Sequence, residues 1–256
     1  MPATPAWPPR SAPRLFIEQK LDEGISVSIE GNQAHYLSKV MRVSPGDSVI
    51  LCDDQSGEWA ASVEASGRRS VELTISRLLR RREQVPDFWL CAALLKKDRF
   101  DLVLEKATEL GVRRIAPLVT RRCVADKLNA DRAKSIIVEA AEQCARTALP
   151  ELSRTVKFAE FVKEFPANRT LFFADENGGI DAAKAFSQTA GSAALITGPE
   201  GGFDYAEREM LLACPNVKPI TLGPRILRGE TAALAAISLW MGIAGDWRNE
   251  GKSDEQ

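Results

Sequence analysis

From Arg14 to about Leu79 the chain alternates apolar and polar residues over short stretches, RLFIEQ, SVSIE, DSVILCD, EWAASVEA and SVELTISRLL, parted by Gly, Asp, Ser and Pro. Period-two alternation bounded by turn residues predicts half-buried strands, so this region reads as a small β-barrel. One segment breaks the pattern: Tyr36, Leu37, Val40 and Met41 fall at helical spacing and predict a helix over Gln33 to Arg42. The stretch RRREQVPD, Arg80 to Asp87, is basic and contains a proline, as an exposed connection would. Beyond it, continuous apolar runs (FWLCAALL, RRIAPLVT, LFFAD, AALIT, VKPITL) alternate with helical stretches, among them DRFDLVLEKATELG, ADRAKSIIVEAAEQCARTAL, Tyr205 to Ala213 and Glu230 to Ala244. That alternation predicts a parallel sheet covered on both faces, an α/β module.

The expected organisation is therefore a flexible tail over 1–13, a small β-barrel over 14–85, an α/β domain over 86–247 and a second tail over 248–256. Composition narrows the class. No apolar run approaches the roughly 18–20 residues of a membrane span, and the proline-broken N-terminus does not form a signal-peptide core, so a cytoplasmic location is expected. Five scattered cysteines without a CxxC pair, and one histidine, make disulfides and a metal site unexpected. The net charge of −1 argues against indiscriminate coating of nucleic acid, while leaving room for a local basic patch.

The candidate chemistry lies in two glycine-bearing loops at predicted strand ends. In AALITGPEGGFDYAERE an apolar strand runs into Gly198, Pro199, Glu200, Gly201 and Gly202 before an acidic helix start. Glycine at a strand's carboxyl end lets a backbone approach a ligand closely, although a tight strand-to-helix turn alone also uses glycine. The spacing matches neither the dinucleotide GxGxxG nor the P-loop ending, so NAD and ATP sites are disfavoured. ITLGPRILRGETAALAAISLW repeats the architecture, with Gly223-Pro224, then Arg225 and Arg228, then a helix rich in small residues.

Together with the N-terminal RLF, HYLSKVMRVSPGD and KKDRFDLVLEKATELGV, these segments resemble the SPOUT methyltransferase superfamily and, within it, the RsmE family, over nearly the whole chain. The resemblance implies a PUA-like RNA-binding barrel followed by a SPOUT α/β domain whose last helix is threaded as a trefoil knot, a rare exception to the rules of chain topology. It implies S-adenosylmethionine as cofactor, held largely by backbone groups around Leu195, Gly198, Gly202, Leu222, Gly223, Ile226, Leu227 and Thr231. It implies methylation at N3 of a uridine of 16S rRNA, in the small ribosomal subunit or its assembly precursor, by a homodimer.

Two positions depart from the family's commoner wording, Gly229 and Lys97. For RNA, the resemblance points to Arg14, and the position after an apolar strand points to Arg121 and Arg122. The arginines at 77, 80, 81 and 82 read as a solvated linker face, with an RNA-backbone track as the alternative. His35, in the barrel half, reads as structural or RNA-contacting rather than catalytic. Glu200 and Glu230 flank the cofactor loops, where helix-dipole interaction accounts for them equally well. Arg228 is placed to stabilise the uridine anion, and the base that removes the N3 proton, solvent or a carboxylate, stays open. Two rival readings are a noncatalytic RNA-binding assembly factor and a 2′-O-ribose methyltransferase of the same fold.

Overall fold

A computed structural model describes residues 12–67, 69–189 and 191–248. The tails expected at the two ends lie outside the described residues except for positions 12, 13 and 248. The chain divides into two compact units, residues 1–84 with 141–149 and residues 85–140 with 150–256.

The first unit is a five-stranded sheet of β1 (Arg14–Phe16), β2 (Ser26–Glu30), β3 (Ser48–Cys52), β4 (Gly57–Ser66) and β5 (Ser70–Arg81), in the order β1-β3-β4-β5-β2. Its alternation is read directly into burial: in SVSIE, Val27 and Ile29 are buried and their neighbours exposed. Leu37, Val49, Leu51, Ala61, Leu73 and Ile75 close the core of the unit. The helical pattern before Arg42 becomes a short α1 (Gly31–His35) and a π-helical turn over Tyr36–Val40, which drops Leu37 into that core.

Of the arginines expected on a solvated linker face, Arg77, Arg81 and Arg82 are exposed, and the structure corrects the reading at Arg80. β5 runs through Arg81, and the Arg80 side chain is ion-paired to the buried Glu58 and donates to the carbonyl of Ala145 at 2.6 Å. The other Glu58 oxygen, Oε1, accepts from Nε and Nη2 of Arg14 at 2.9 and 2.6 Å. Arg14 also donates to the Glu142 carbonyl at 3.3 Å. A buried carboxylate shared by two guanidiniums tolerates loss of neither partner, because the orphaned oxygen keeps its desolvation cost. Arg14→Ala is therefore expected to lower stability by about 1–3 kcal/mol, read as a lower urea midpoint. An unchanged midpoint together with a shallower salt dependence of RNA binding would instead give this arginine a phosphate contact.

The second unit holds an eight-stranded sheet. Its strands are β6 (Phe88–Ala93), β7 (Arg114–Val119), β8 (Glu151–Leu152), β9 (Val156–Lys157), β10 (Thr170–Ala174), β11 (Ile180–Asp181), β12 (Ala193–Thr197) and β13 (Val217–Thr221). The path is β11-β13-β10-β12-β6-β7-β8, with β9 also on β7, and the pairings are parallel throughout. The helices are α2 (Lys97–Glu109), α3 (Ala130–Cys144), α4 (Phe158–Glu164), α5 (Ala182–Ser187), α6 (Tyr205–Leu212) and α7 (Gly229–Ile243). Strands such as AALIT are buried at every position, as the continuous apolar runs require of a sheet covered on both faces. α7 packs on α2, α5 and β12 through Ala233, Ala236 and Ile237, its small residues allowing close approach, and Trp240 stacks on Phe88 with ring centroids 4.1 Å apart.

At the amino edge of this sheet, Arg169 donates to the carbonyls of Asp87 and Ala193 at 3.0 Å and to the Asp87 carboxylate at 2.6 Å. Its guanidinium lies 3.7 Å from the centroid of the Trp89 ring. Burial pushes the Asp87 carboxyl up, but hydrogen bonds from Arg169 and Ser192 outweigh it and hold the group below the usual carboxylate range. The amino edge is thereby tied together, leaving the carboxyl edge to the loops.

Candidate cofactor site

Parallel pairing brings the carboxyl ends of β10, β12 and β13 to one edge, where a sheet of this kind presents its ligand-binding crevice. A cavity of about 380 Å³ opens there, within the range of small-molecule sites. Three loops form its wall, Asp175–Asn177 after β10, Gly198–Phe203 after β12 and Ile226–Arg228 after β13, together with Ala174 at the end of β10 and Gly229 at the start of α7. Phe173, Pro199, Phe203, Ile226 and Leu227 supply apolar wall, and Arg99, Asp175, Glu176, Glu200, Arg208 and Arg228 supply charge.

Of the residues expected around a cofactor, Gly198, Gly202, Ile226 and Leu227 line this cavity, as does Arg228, expected to stabilise the uridine anion. Leu195 is fully buried in the middle of β12, and Leu222, Gly223 and Thr231 stand outside the lining. The sequence reading did not single out the β10 loop, although ADENGG after the buried LFFA carries the same signal as the other two, a polar, glycine-bearing exit from an apolar strand. Arg99 and Arg208 were also missed. Each belongs to a helix whose pattern explains it as solvent-facing, and only the fold turns both toward the cavity.

The loops are held by packing that the glycines permit. A Cβ on Gly229 would lie 2.9 Å from the carbonyl oxygen of Gly198 and from a Leu95 methyl, so the departure from the family's wording at 229 coincides with a contact between two loops that admits only hydrogen. Gly202 has φ +67, in the left-handed region, and its N–H donates to the Pro199 carbonyl at 2.9 Å. Asp204 then starts α6 with a capping box: its carboxylate accepts from the Glu207 N–H at 2.7 Å, and Glu207 accepts from the Asp204 N–H at 3.1 Å. The Glu207 N–H, and then the Arg121 guanidinium 2.9 Å away, hold the Asp204 carboxyl below its usual range. Arg121 and Arg122 reach this loop from the end of β7, the first also through its backbone N–H to Glu207 at 2.8 Å, the second by donating to the Gly201 carbonyl at 2.9 Å.

Charge on the wall is unequally compensated. Arg208 is engaged by Asp175, Nε to Oδ2 at 2.9 Å, and Arg99 is ion-paired to Glu230, whose Oε2 is buried without a hydrogen-bond partner. Arg228, the residue before α7, has no side-chain partner among the described residues. Glu176 is likewise unpaired among them, its carboxylate standing against Gly202. No cysteine is among the residues that line the cavity; burial pushes the Cys91 thiol up to about 12, and burial followed by Glu58 does the same to Cys52.

Comparison with known proteins agrees with this architecture. Residues 82–241 match the family described as RNA methyltransferase domain, and residues 29–76 match the RNA methyltransferase PUA domain. The ribosomal RNA small subunit methyltransferase E of Bacillus subtilis is 32% identical over 243 residues, covering 88% of this chain and 94% of the relative. Its namesake from Rickettsia conorii is 29% identical, covering 88% and 93%. Among solved structures, the methyltransferase E of Neisseria gonorrhoeae bound to S-adenosyl methionine superposes with a TM-score of 0.85 at 26% identity, covering 93% of this chain and all of that one. A methyltransferase of Legionella pneumophila in complex with bound cofactor SAM gives 0.82 at 30% identity, covering 92% and 99%. With its PUA module, its parallel α/β domain and full-length similarity to these proteins, the chain belongs to the ribosomal RNA small subunit methyltransferase E family.

Proposed function

We propose that the chain transfers a methyl group from S-adenosylmethionine to N3 of one uridine of 16S rRNA in the small ribosomal subunit. The observation that carries this reading is the three-loop cavity at the carboxyl edge, in a chain whose family members act on small-subunit RNA. The residues fit the cofactor. Ile226, Leu227 and Pro199 offer an apolar wall for a purine, the close contact of Gly229 with Gly198 keeps two loops together, and the unpaired Glu176 carboxylate suits a cationic ligand. When bound, S-adenosylmethionine supplies an electrophilic methyl group for in-line displacement.

The chain's own part is to hold the base and manage charge. An imide nitrogen must lose its proton before it attacks, and the charge then spreads over O2 and O4. Arg228, uncompensated on the cavity wall, is assigned to that charge. Leu195, Leu222, Gly223 and Thr231, outside the lining of the cavity, are kept in the proposal as residues whose backbone groups help to hold the cofactor. The trefoil threading of α7, a homodimer and work in the cytoplasm complete the proposal; the family resemblance implies the first, and the exposed small residues Thr231, Ala235 and Gly242 along or beside the outer face of α7 support the second. Among the described residues no helix is long and apolar enough to cross a membrane.

The experiment that tests the reading is transfer of labelled methyl groups to small ribosomal subunits by the purified protein. Label in 16S rRNA supports it. Cofactor binding without transfer would favour the noncatalytic assembly factor.

A further inference from the structure

Among the described residues, the three most exposed large hydrophobic side chains are Ile226 at 84%, Tyr205 at 77% and Val124 at 71%. Single exposed apolar residues are ordinary on a protein surface. These three are not scattered: they follow β13, β12 and β7 respectively, and all those strands run parallel, so the three loops share the carboxyl edge of the sheet. Cations stand on the same loops, Arg121 and Arg122 after β7 and Arg228 after β13. Apolar and aromatic surface interleaved with arginine complements a polyanion that has unstacked π-faces, which is single-stranded nucleic acid.

We infer that this edge takes an unpaired stretch of the RNA substrate and that the Tyr205 ring is the platform on which a base stacks. The inference rests on the methyltransferase reading above and adds to it a residue that reads the base. Tyr205 is well prepared for that task. It is the first residue of α6, directly after Asp204, whose side chain is fixed by the capping box and by Arg121. Glu207, two residues along, is buried and ties the same turn to the Arg121 backbone. The ring is thus exposed on a backbone that does not need to be ordered on binding, which spares the complex an entropic cost. Arg121, beside it, keeps its side chain 69% exposed while paired, with donors left for phosphate.

The test is the affinity of a short fluorescent oligouridylate for the full chain and for Tyr205→Ala, Tyr205→Leu and Tyr205→Phe, with circular dichroism to establish that each is folded. Stacking on one aromatic ring predicts about a tenfold loss for the alanine and leucine variants. The phenylalanine variant is expected to bind as the parent does. Cofactor affinity, measured by calorimetry on the same proteins, is expected to be common to all four. Three results would each overturn the inference: no binding by the parent, full affinity in Tyr205→Ala or Tyr205→Leu, or a loss in Tyr205→Phe as large as in Tyr205→Ala. A parent that binds oligouridylate through Tyr205 yet takes no S-adenosylmethionine would remove the proposed function and leave the stacking surface standing.

Discussion

Arg228→Gln is expected to lower kcat by about 10²–10³ while cofactor affinity holds, the size of effect found when one donor to a developing oxyanion is removed. Three arginines line the cavity, and two are already committed, Arg208 to Asp175 and Arg99 to Glu230. A neutralised guanidinium has little attraction left for the uridine anion. Arg228 keeps its whole charge for whatever enters, and it directly precedes the α7 backbone, which fixes its origin. Single-turnover rates on small ribosomal subunits give the answer. An unchanged kcat would take the charge-stabilising role away from this residue.

The second large effect is expected at Gly202. Its φ of +67 is a conformation that L side chains rarely adopt, and a Cβ there would sit 2.9 Å from Oε1 of Glu176, across the cavity wall. Holding a non-glycine residue in that region costs of order 1–3 kcal/mol, and a β-branched side chain is the worst case. Because the sheet and the α6 cap lie outside the turn, the strain is expected to be relieved by moving the loop rather than by unfolding. Gly202→Val should therefore bind S-adenosylmethionine about 5- to 150-fold less tightly, or not measurably, with a native circular dichroism spectrum. Calorimetry reads the first and far-ultraviolet spectra the second. Native spectra with parental affinity would show that the turn is not part of the cofactor site.

Much of the fold was legible because the strands that matter are long and apolar. FWLCAALL, LFFAD and AALIT are buried runs that hardly permit another reading, and the helices after Asp204 and Arg228 begin where the glycine loops end. The short elements β8, β9, β11, α4 and α5 were not legible: two residues of strand, or one to two turns of helix, carry too little periodicity to stand out. Long-range pairing was equally hidden. Arg14 meets Glu58 across 44 positions, and Arg99 meets Glu230 across 131, so neither arginine announces its partner in sequence. The β10 loop differs: its signal was present in ADENGG and became clear only once β10 was seen between β12 and β13.

The central claim is the identity of the methylated atom. N3 lies on the Watson–Crick edge of uridine, so a methyl group there removes the pairing donor and adds bulk, and reverse transcriptase should stop at the site. Reaching that edge requires an unpaired or extruded base, at a cost of about a few kcal/mol if it begins in a duplex. Purified protein and S-adenosylmethionine, incubated with small ribosomal subunits from a strain that lacks the enzyme, are predicted to yield one new primer-extension stop in 16S rRNA and 3-methyluridine by nucleoside mass spectrometry. A ribose-methylated nucleoside in its place, or methyl transfer with no 3-methyluridine, would contradict the account.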